Sequence, residues 1–161
     1  MDADTYIPVD NTLIPTGEIA SVEGTPFDFT ERKPIGRDFD LSVRDLALAG
    51  GYDHCMNFRA VDDVWAEPRI KVRDPKSMRE MVVYTDAPCV QFYSGNFLNN
   101  EKYPFKNNYP QGLQNAMCLV ENSSAGSFIN AAALHTYKTV FNDIKKTDTV
   151  CAAYLVKLQN D

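Results

Sequence analysis

A carboxylate and an imidazole lie side by side at Asp53 and His54, directly after Gly50-Gly51. A carboxylate can accept hydrogen bonds from two neighbouring hydroxyl groups, and an imidazole gains or loses a proton near neutral pH, so these residue types suit polyol binding or proton transfer. In an extended strand, however, neighbouring side chains point to opposite faces. Local sequence alone favours a turn-forming Asp53 after the two glycines, with a binding-site carboxylate as the alternative. If Asp53 faces a site, His54 faces away from it, and we expect His54 to be structural.

A second polar side chain, Gln91, lies within the otherwise apolar run 90–93. Its amide can donate a hydrogen bond to one hydroxyl group and accept one from another, so it suits the same kind of ligand as Asp53. The alternative is a solvent-facing polar residue in a half-buried strand.

The elements that must position these residues are short strands. Runs rich in β-branched and aromatic residues are bounded by Gly, Pro, Asn and Asp, a pattern typical of an antiparallel all-β protein. The predicted strands span residues 5–9, 18–22, 56–58, 69–72, 81–85, 90–93, 116–120 and 150–158. The sequence Asp74-Pro75-Lys76-Ser77 predicts a turn that makes 69–85 a hairpin, whose second strand is apolar enough to be covered on both faces.

One short helix is predicted over residues 41–48, because only there do apolar residues recur at helical spacing. Ser42 is the predicted N-cap, and Gly50 is expected to end the helix. Residues 99–114 are rich in Asn, Lys, Tyr and Pro without periodicity, and they predict a long connection of the kind that often borders a binding site.

Composition limits the class of protein. With 161 residues and 44% hydrophobic content, the chain can bury one core, so we expect a single domain over residues 1–161. A net charge of -6 without a basic cluster argues against nucleic acid as a partner. No apolar run approaches the roughly 20 residues that span a bilayer, and the acidic start of the chain is unlike a signal peptide. We expect a cytoplasmic protein without a membrane partner.

The cysteines give no sign of a metal or redox motif. Cys55, Cys89, Cys118 and Cys151 are scattered singly among mostly apolar neighbours, and the chain has only 2 His residues. Neither a zinc site nor a Cys-x-x-Cys pair is therefore indicated. We expect buried, reduced thiols, no metal and no cofactor.

Three strings together carry a family resemblance. In chain order they are Gly24-Thr25-Pro26-Phe27-Asp28-Phe29, Gly50-Gly51-Tyr52-Asp53-His54 and Pro88-Cys89-Val90-Gln91-Phe92-Tyr93-Ser94-Gly95-Asn96-Phe97-Leu98. They resemble the C-terminal half of the aldose 1-epimerase (galactose mutarotase) family. The resemblance implies the second half of an antiparallel galactose mutarotase-like β-sandwich. It also implies an aldohexose such as galactose or glucose as ligand, gripped by Asp53 and Gln91.

The resemblance also implies a reaction. Mutarotation interconverts the α and β anomers of an aldose by ring opening, which requires a general base and a general acid but no metal or nucleotide. The family places its base, a Glu, after Cys-Leu, where this chain has Val120, and Glu121 follows one residue later. Because a shift of one residue turns a strand side chain to the other face, Glu121 is a candidate base only if a β-bulge intervenes. The family's acid His belongs to a segment that this chain does not contain.

Two functions follow from this comparison. The first is an aldose 1-epimerase with weak or no activity as an isolated chain. The second is a non-catalytic carbohydrate-binding or regulatory/interaction module derived from the same fold. Half a sandwich leaves strand edges and an apolar face uncovered, so we expect a homodimer or a complementing N-terminal half as the protein partner, or else a rearranged smaller sandwich.

Overall fold

The computed structural model describes residues 1–99, 102–122 and 156–157, and these form eight strands, one α-helix and one 3-10 helix. The helices are α1 (Arg44–Ala49) and a 3-10 turn at Lys106–Asn108. The strands are β1 (Ala3–Ile7), β2 (Ala20–Ser21), β3 (Asp53–Phe58), β4 (Ile70–Arg73), β5 (Glu80–Val83), β6 (Cys89–Tyr93), β7 (Ala116–Asn122) and β8 (Val156–Lys157). None of the helices in these ranges has the length and apolar character needed to cross a membrane.

The strands form one antiparallel sheet and one separate hairpin. The large sheet has the order β2-β1-β3-β6-β7-β8, and β4 pairs only with β5. Strands β3 and β6 are therefore neighbours in the sheet although the β4–β5 hairpin lies between them in sequence. The all-β antiparallel prediction is confirmed.

The core lies on one face of the large sheet and is dominated by aromatic rings. The Phe27 ring stacks on Tyr6 at a centroid distance of 4.2 Å, and the Tyr52 ring stacks on Phe92 at 5.1 Å. Phe27 and Tyr52 are both 0% exposed. The side chains of a strand alternate between the two faces of the sheet. In β3 and β6, the residues next to the core residues therefore point to the opposite face.

The helix is shorter than predicted and is capped differently. It begins at Arg44, and no side chain caps its first turn. Ser42 does not act as the N-cap because its hydroxyl donates to Asp40 Oδ2 at 2.8 Å, in a turn that precedes the helix. Gly50 ends the helix as predicted, with a left-handed φ of 66° that glycine adopts without strain.

The hairpin prediction is correct in its turn and wrong about its coverage. Arg73 pairs with Glu80 across the predicted turn, where Asp74 accepts hydrogen bonds from the Lys76 and Ser77 backbones. Residues 81–85 are not covered on both faces, since Val82 is 45% exposed in this two-stranded sheet. The predicted strand 150–158 lies outside the described residues except for Val156–Lys157.

Candidate functional site

Asp53 and Gln91 meet on the sheet face opposite the aromatic core. Asp53 pairs with Tyr93, and Cys55 pairs with Gln91, so Asp53 and Gln91 are diagonal neighbours on adjacent antiparallel strands. The Gln91 side-chain amide donates from Nε2 to Asp53 Oδ1 at 2.8 Å. The two side chains that sequence reasoning singled out separately thus form one hydrogen-bonded pair.

The environment of Asp53 favours contact with hydroxyl donors. Burial raises the pKa of the Asp53 carboxyl above its ordinary value, and the hydrogen bond from Gln91 opposes this with a smaller effect. A half-buried carboxylate that has lost part of its hydration gains from any added donor. Because a carboxylate has about four lone-pair sites and an amide has two N–H donors and one acceptor, the pair can engage two adjacent hydroxyl groups together.

His54 lies on the other face, as predicted. Its side chain is 1% exposed, and its ring is 4.7 Å from the Phe27 ring between centroids. Its Nδ1 accepts a hydrogen bond from the Asp53 backbone N–H at 3.0 Å, so the proton of the neutral ring resides on Nε2. Nε2 has no hydrogen-bond partner among the described residues. Burial lowers the pKa of His54 to about 4, against a smaller raising effect of the Asp45 charge, so the ring is neutral at pH 7.

The register of β7 places Val120 opposite the polar pair. Five consecutive pairs run from Cys89 with Asn122 to Tyr93 with Cys118, and within them Gln91 pairs with Val120 and Val90 pairs with Glu121.

The β-bulge that would be needed to bring Glu121 opposite Gln91 is absent from these pairs. A slip of one residue would turn Leu119, which is 4% exposed, out of the core, and this burial fixes the register. The side chain of Glu121 lies outside what the structure describes, so Glu121 stays an untested candidate base, and the absence of the bulge from these pairs counts against it.

Two cavities in the described part of the chain lie away from the polar pair. One cavity of about 550 Å³ lies beyond the opposite face, against Phe92, Met117 and Leu119, and a second of about 520 Å³ lies against β1 and Arg59. Neither cavity is lined by Asp53 or Gln91.

Sequence reasoning missed two polar residues behind the site, Ser94 and Asn96. They are 2% and 5% exposed, and they bond the backbone of Tyr52. Both lie in the string Ser94-Gly95-Asn96 that follows β6, which reads locally as an ordinary solvent-exposed turn. Only the pairing of β3 with β6 reveals that this turn packs against the Tyr52 backbone, directly before Asp53.

Comparison with known proteins decides the family. A profile described as aldose 1-epimerase matches residues 1–141 of the chain. The chain belongs to the aldose 1-epimerase family. The resemblance drawn from the three sequence strings is thereby confirmed.

Relatives and solved structures agree with this membership. Human galactose mutarotase is 46% identical over 99 residues, and the aldose 1-epimerase of Escherichia coli (strain K12) is 42% identical over 96 residues. These alignments cover 62% and 60% of the present chain, respectively. They cover 27% of each relative, in its C-terminal part.

Among solved structures, galactose 1-epimerase from Lactobacillus acidophilus NCFM superposes with a TM-score of 0.56 at 32% identity, covering 69% of this chain and 31% of that chain. An aldose epimerase homologue from C. elegans gives a TM-score of 0.61 at 24% identity, covering 76% of this chain and 36% of that chain, which supports the fold alone. The chain therefore spans about a third of these structures.

Proposed function

We propose that this chain binds an aldohexose, such as galactose or glucose, through Asp53 and Gln91. The observation that carries the proposal is the 2.8 Å hydrogen bond from Gln91 Nε2 to Asp53 Oδ1 on one sheet face. It places a partly desolvated carboxylate beside an amide, and together these two groups can engage adjacent hydroxyl groups. Membership in the aldose 1-epimerase family supports an aldose rather than another polyol as the ligand.

The catalytic part of the proposal is an aldose 1-epimerase with weak or no activity as an isolated chain. Ring opening needs a base that removes the anomeric hydroxyl proton and an acid that protonates the ring oxygen. The residue of β7 that pairs with Gln91 is Val120, which carries no ionisable group. Loss of one general acid or base lowers a rate by about 10²- to 10⁴-fold, so little acceleration is expected beyond the spontaneous reaction.

The second candidate is a non-catalytic carbohydrate-binding or regulatory module, and Val120 is the observation that favours it. The two candidates share Asp53 and Gln91 and differ only in turnover. Polarimetry of freshly dissolved α-galactose separates them, because acceleration that scales with protein concentration supports an enzyme and a spontaneous rate supports the module.

Sugar binding itself is tested by calorimetric titration with galactose and glucose. Asp53→Asn keeps the size of the side chain but removes the charge that strengthens hydrogen bonds to hydroxyl groups, so it should weaken binding by about tenfold or more. Asp62→Asn is the matched control, because Asp62 is exposed and lies beyond the end of β3. Equal affinity in the wild type and Asp53→Asn would overturn the proposed site.

The protein partner is the remaining part of the proposal. A homodimer or a complementing N-terminal half of the fold would cover the apolar cavity against Phe92, Met117 and Leu119. Size-exclusion chromatography with light scattering tests for it, and a stable monomer of 161 residues would count against the need for a partner. The cytoplasmic location stays a prediction.

A further inference from the structure

A network of buried polar contacts lies directly behind Asp53, in the segment that follows β6. Ser94 and Asn96 carry polar side chains in buried positions, where each must be satisfied by hydrogen bonds. We propose that Ser94 and Asn96 are positioning residues that set how the Asp53 carboxylate meets Gln91 and the sugar. The sugar-binding part of this proposal rests on the proposed function of Asp53.

The peptide unit between Tyr52 and Asp53 is held at both ends. Its carbonyl oxygen, on Tyr52, accepts hydrogen bonds from Asn96 Nδ2 at 2.9 Å and from the Ser94 backbone N–H at 2.9 Å. Its N–H, on Asp53, donates to His54 Nδ1 at 3.0 Å. Because a peptide unit is planar, fixing its oxygen and nitrogen fixes the direction in which the backbone enters Asp53. The Asp53 side chain then has only its own torsions to adjust, and Gln91 restrains these from the other side.

Ser94 and Asn96 also hold one another. The Ser94 hydroxyl donates to Asn96 Oδ1 at 2.5 Å and accepts the Tyr52 backbone N–H at 3.0 Å. Asn96 Nδ2 additionally donates at 3.0 Å to the carbonyl oxygen of Ala49, the last residue of α1. The end of α1, the start of β3 and the end of β6 are thus joined by one network, and each side chain of the network makes more than one hydrogen bond.

Gly51 allows this network to close. Its φ is 147°, which L side chains rarely adopt, and a Cβ at this position would overlap Asn96 Oδ1 and lie 2.8 Å from Ser94 Oγ. A side chain at residue 51 would therefore displace both positioning residues. This gives the second glycine of Gly50-Gly51 a specific role, which is to let the two side chains reach the backbone that leads to Asp53.

Removing the network should move Asp53 without removing any group that touches the sugar. In Asn96→Ala the Tyr52 carbonyl loses its side-chain donor, so the Asp53 carboxylate can drift toward solvent and away from Gln91. A hydrogen bond to a charged group contributes about tenfold or more to an affinity, so misplacing the carboxylate should lower the affinity for galactose by at least about that factor. The pKa of Asp53 should fall toward its ordinary value, because burial is what raises it.

The experiment compares Asn96→Ala with Asn57→Ala, a matched control. Asn57 is a buried asparagine on β3, the strand that also carries Asp53, and its Nδ2 donates to Thr5 Oγ1 at 3.2 Å. Carboxyl-detected NMR gives the pH titration of Asp53 in each variant, and titration with galactose gives each affinity. The proposal expects Asn96→Ala to change both readings and Asn57→Ala to change neither, whatever either change does to global stability.

A second pair keeps the test decisive if Asn96→Ala does not fold. Ser94→Ala removes the hydroxyl, Ser94→Thr retains it, and only the alanine should lower the pKa of Asp53. An unchanged Asp53 titration in the alanine variants that fold would overturn the positioning role. If the wild type bound no galactose, the proposed function would fail, and the Asp53 titration would still decide the role of Ser94 and Asn96.

Discussion

Mild acid should destabilise this fold through one residue, His54. The ring is 1% exposed, packs against the Phe27 ring, and has an unpartnered Nε2 among the described residues. The folded chain therefore resists protonating it, and its pKa is about 4, whereas an unperturbed imidazole has a pKa of about 6.5.

The sign and size of the effect follow from these two values. Above about pH 6.5 the ring is neutral in both states, so His54 adds no pH dependence. Between about pH 6.5 and pH 4 the unfolded chain binds a proton that the folded chain does not, so the free energy of unfolding decreases as the pH falls. Since one pKa unit corresponds to about 1.36 kcal/mol, the full decrease is about 3 kcal/mol, reached below about pH 4.

The assay is urea denaturation at a series of pH values from about 7.5 to about 4, in the wild type and in His54→Asn. Asparagine can accept the Asp53 backbone N–H as Nδ1 does, but it does not titrate. Protonation of Asp53, whose pKa is raised, favours folding as the pH falls, and this opposite contribution is present in both proteins. The difference between the two proteins therefore reports His54 alone. A difference that stays constant over this pH range would refute a buried, neutral His54.

Three further predictions concern the catalytic position, the core and the thiols. Val120→Glu introduces a carboxylate opposite Gln91, and it should accelerate galactose mutarotation by up to about 10²-fold, the lower end of what a general base contributes. Glu121→Gln should leave the rate measured by polarimetry unchanged. The opposite ranking would show that the register does not define the base position. Phe27→Ala should reduce the free energy of unfolding by about 3–5 kcal/mol in urea titration, because this fully buried ring stacks on Tyr6, and a loss below about 1 kcal/mol would contradict the described core. Cys55 and Cys89 should resist iodoacetamide in the folded chain and react after denaturation, as measured by peptide mass spectrometry. Both thiols are buried, and the hydrogen bond with Cys89 raises the pKa of Cys55. Rapid labelling of either thiol in the folded chain would contradict their burial.

Local sequence signals predicted the elements whose cause is local. The turn at Asp74-Pro75 and the end of the helix at Gly50 depend on neighbouring residues only, and both are correct. The predicted cap at Ser42 failed because Asp40 competes for the same hydroxyl. Strand β3 begins at Asp53, three residues before the predicted start, because pairing with β6 extends it through polar residues.

The sequence predicted which residues form the candidate site but not how they contact one another. Strand alternation correctly separated Asp53 from His54, since this separation is a property of one strand. That Asp53 and Gln91 share a hydrogen bond depends on β3 pairing with β6 across an intervening hairpin, which no local pattern specifies. The same long-range pairing buries Ser94 and Asn96, and for this reason they were missed.

The proposed site requires that Asp53 and Gln91 bind the sugar as one unit. The most direct measurement is a galactose titration of the wild type followed by NMR of the Gln91 side-chain amide and the Asp53 carboxyl. If they bind as one unit, both signals should shift along a single saturation curve, and the Gln91 shift should disappear in Asp53→Asn but persist in Asp62→Asn. Saturable binding of galactose that leaves both signals unmoved would contradict the claim.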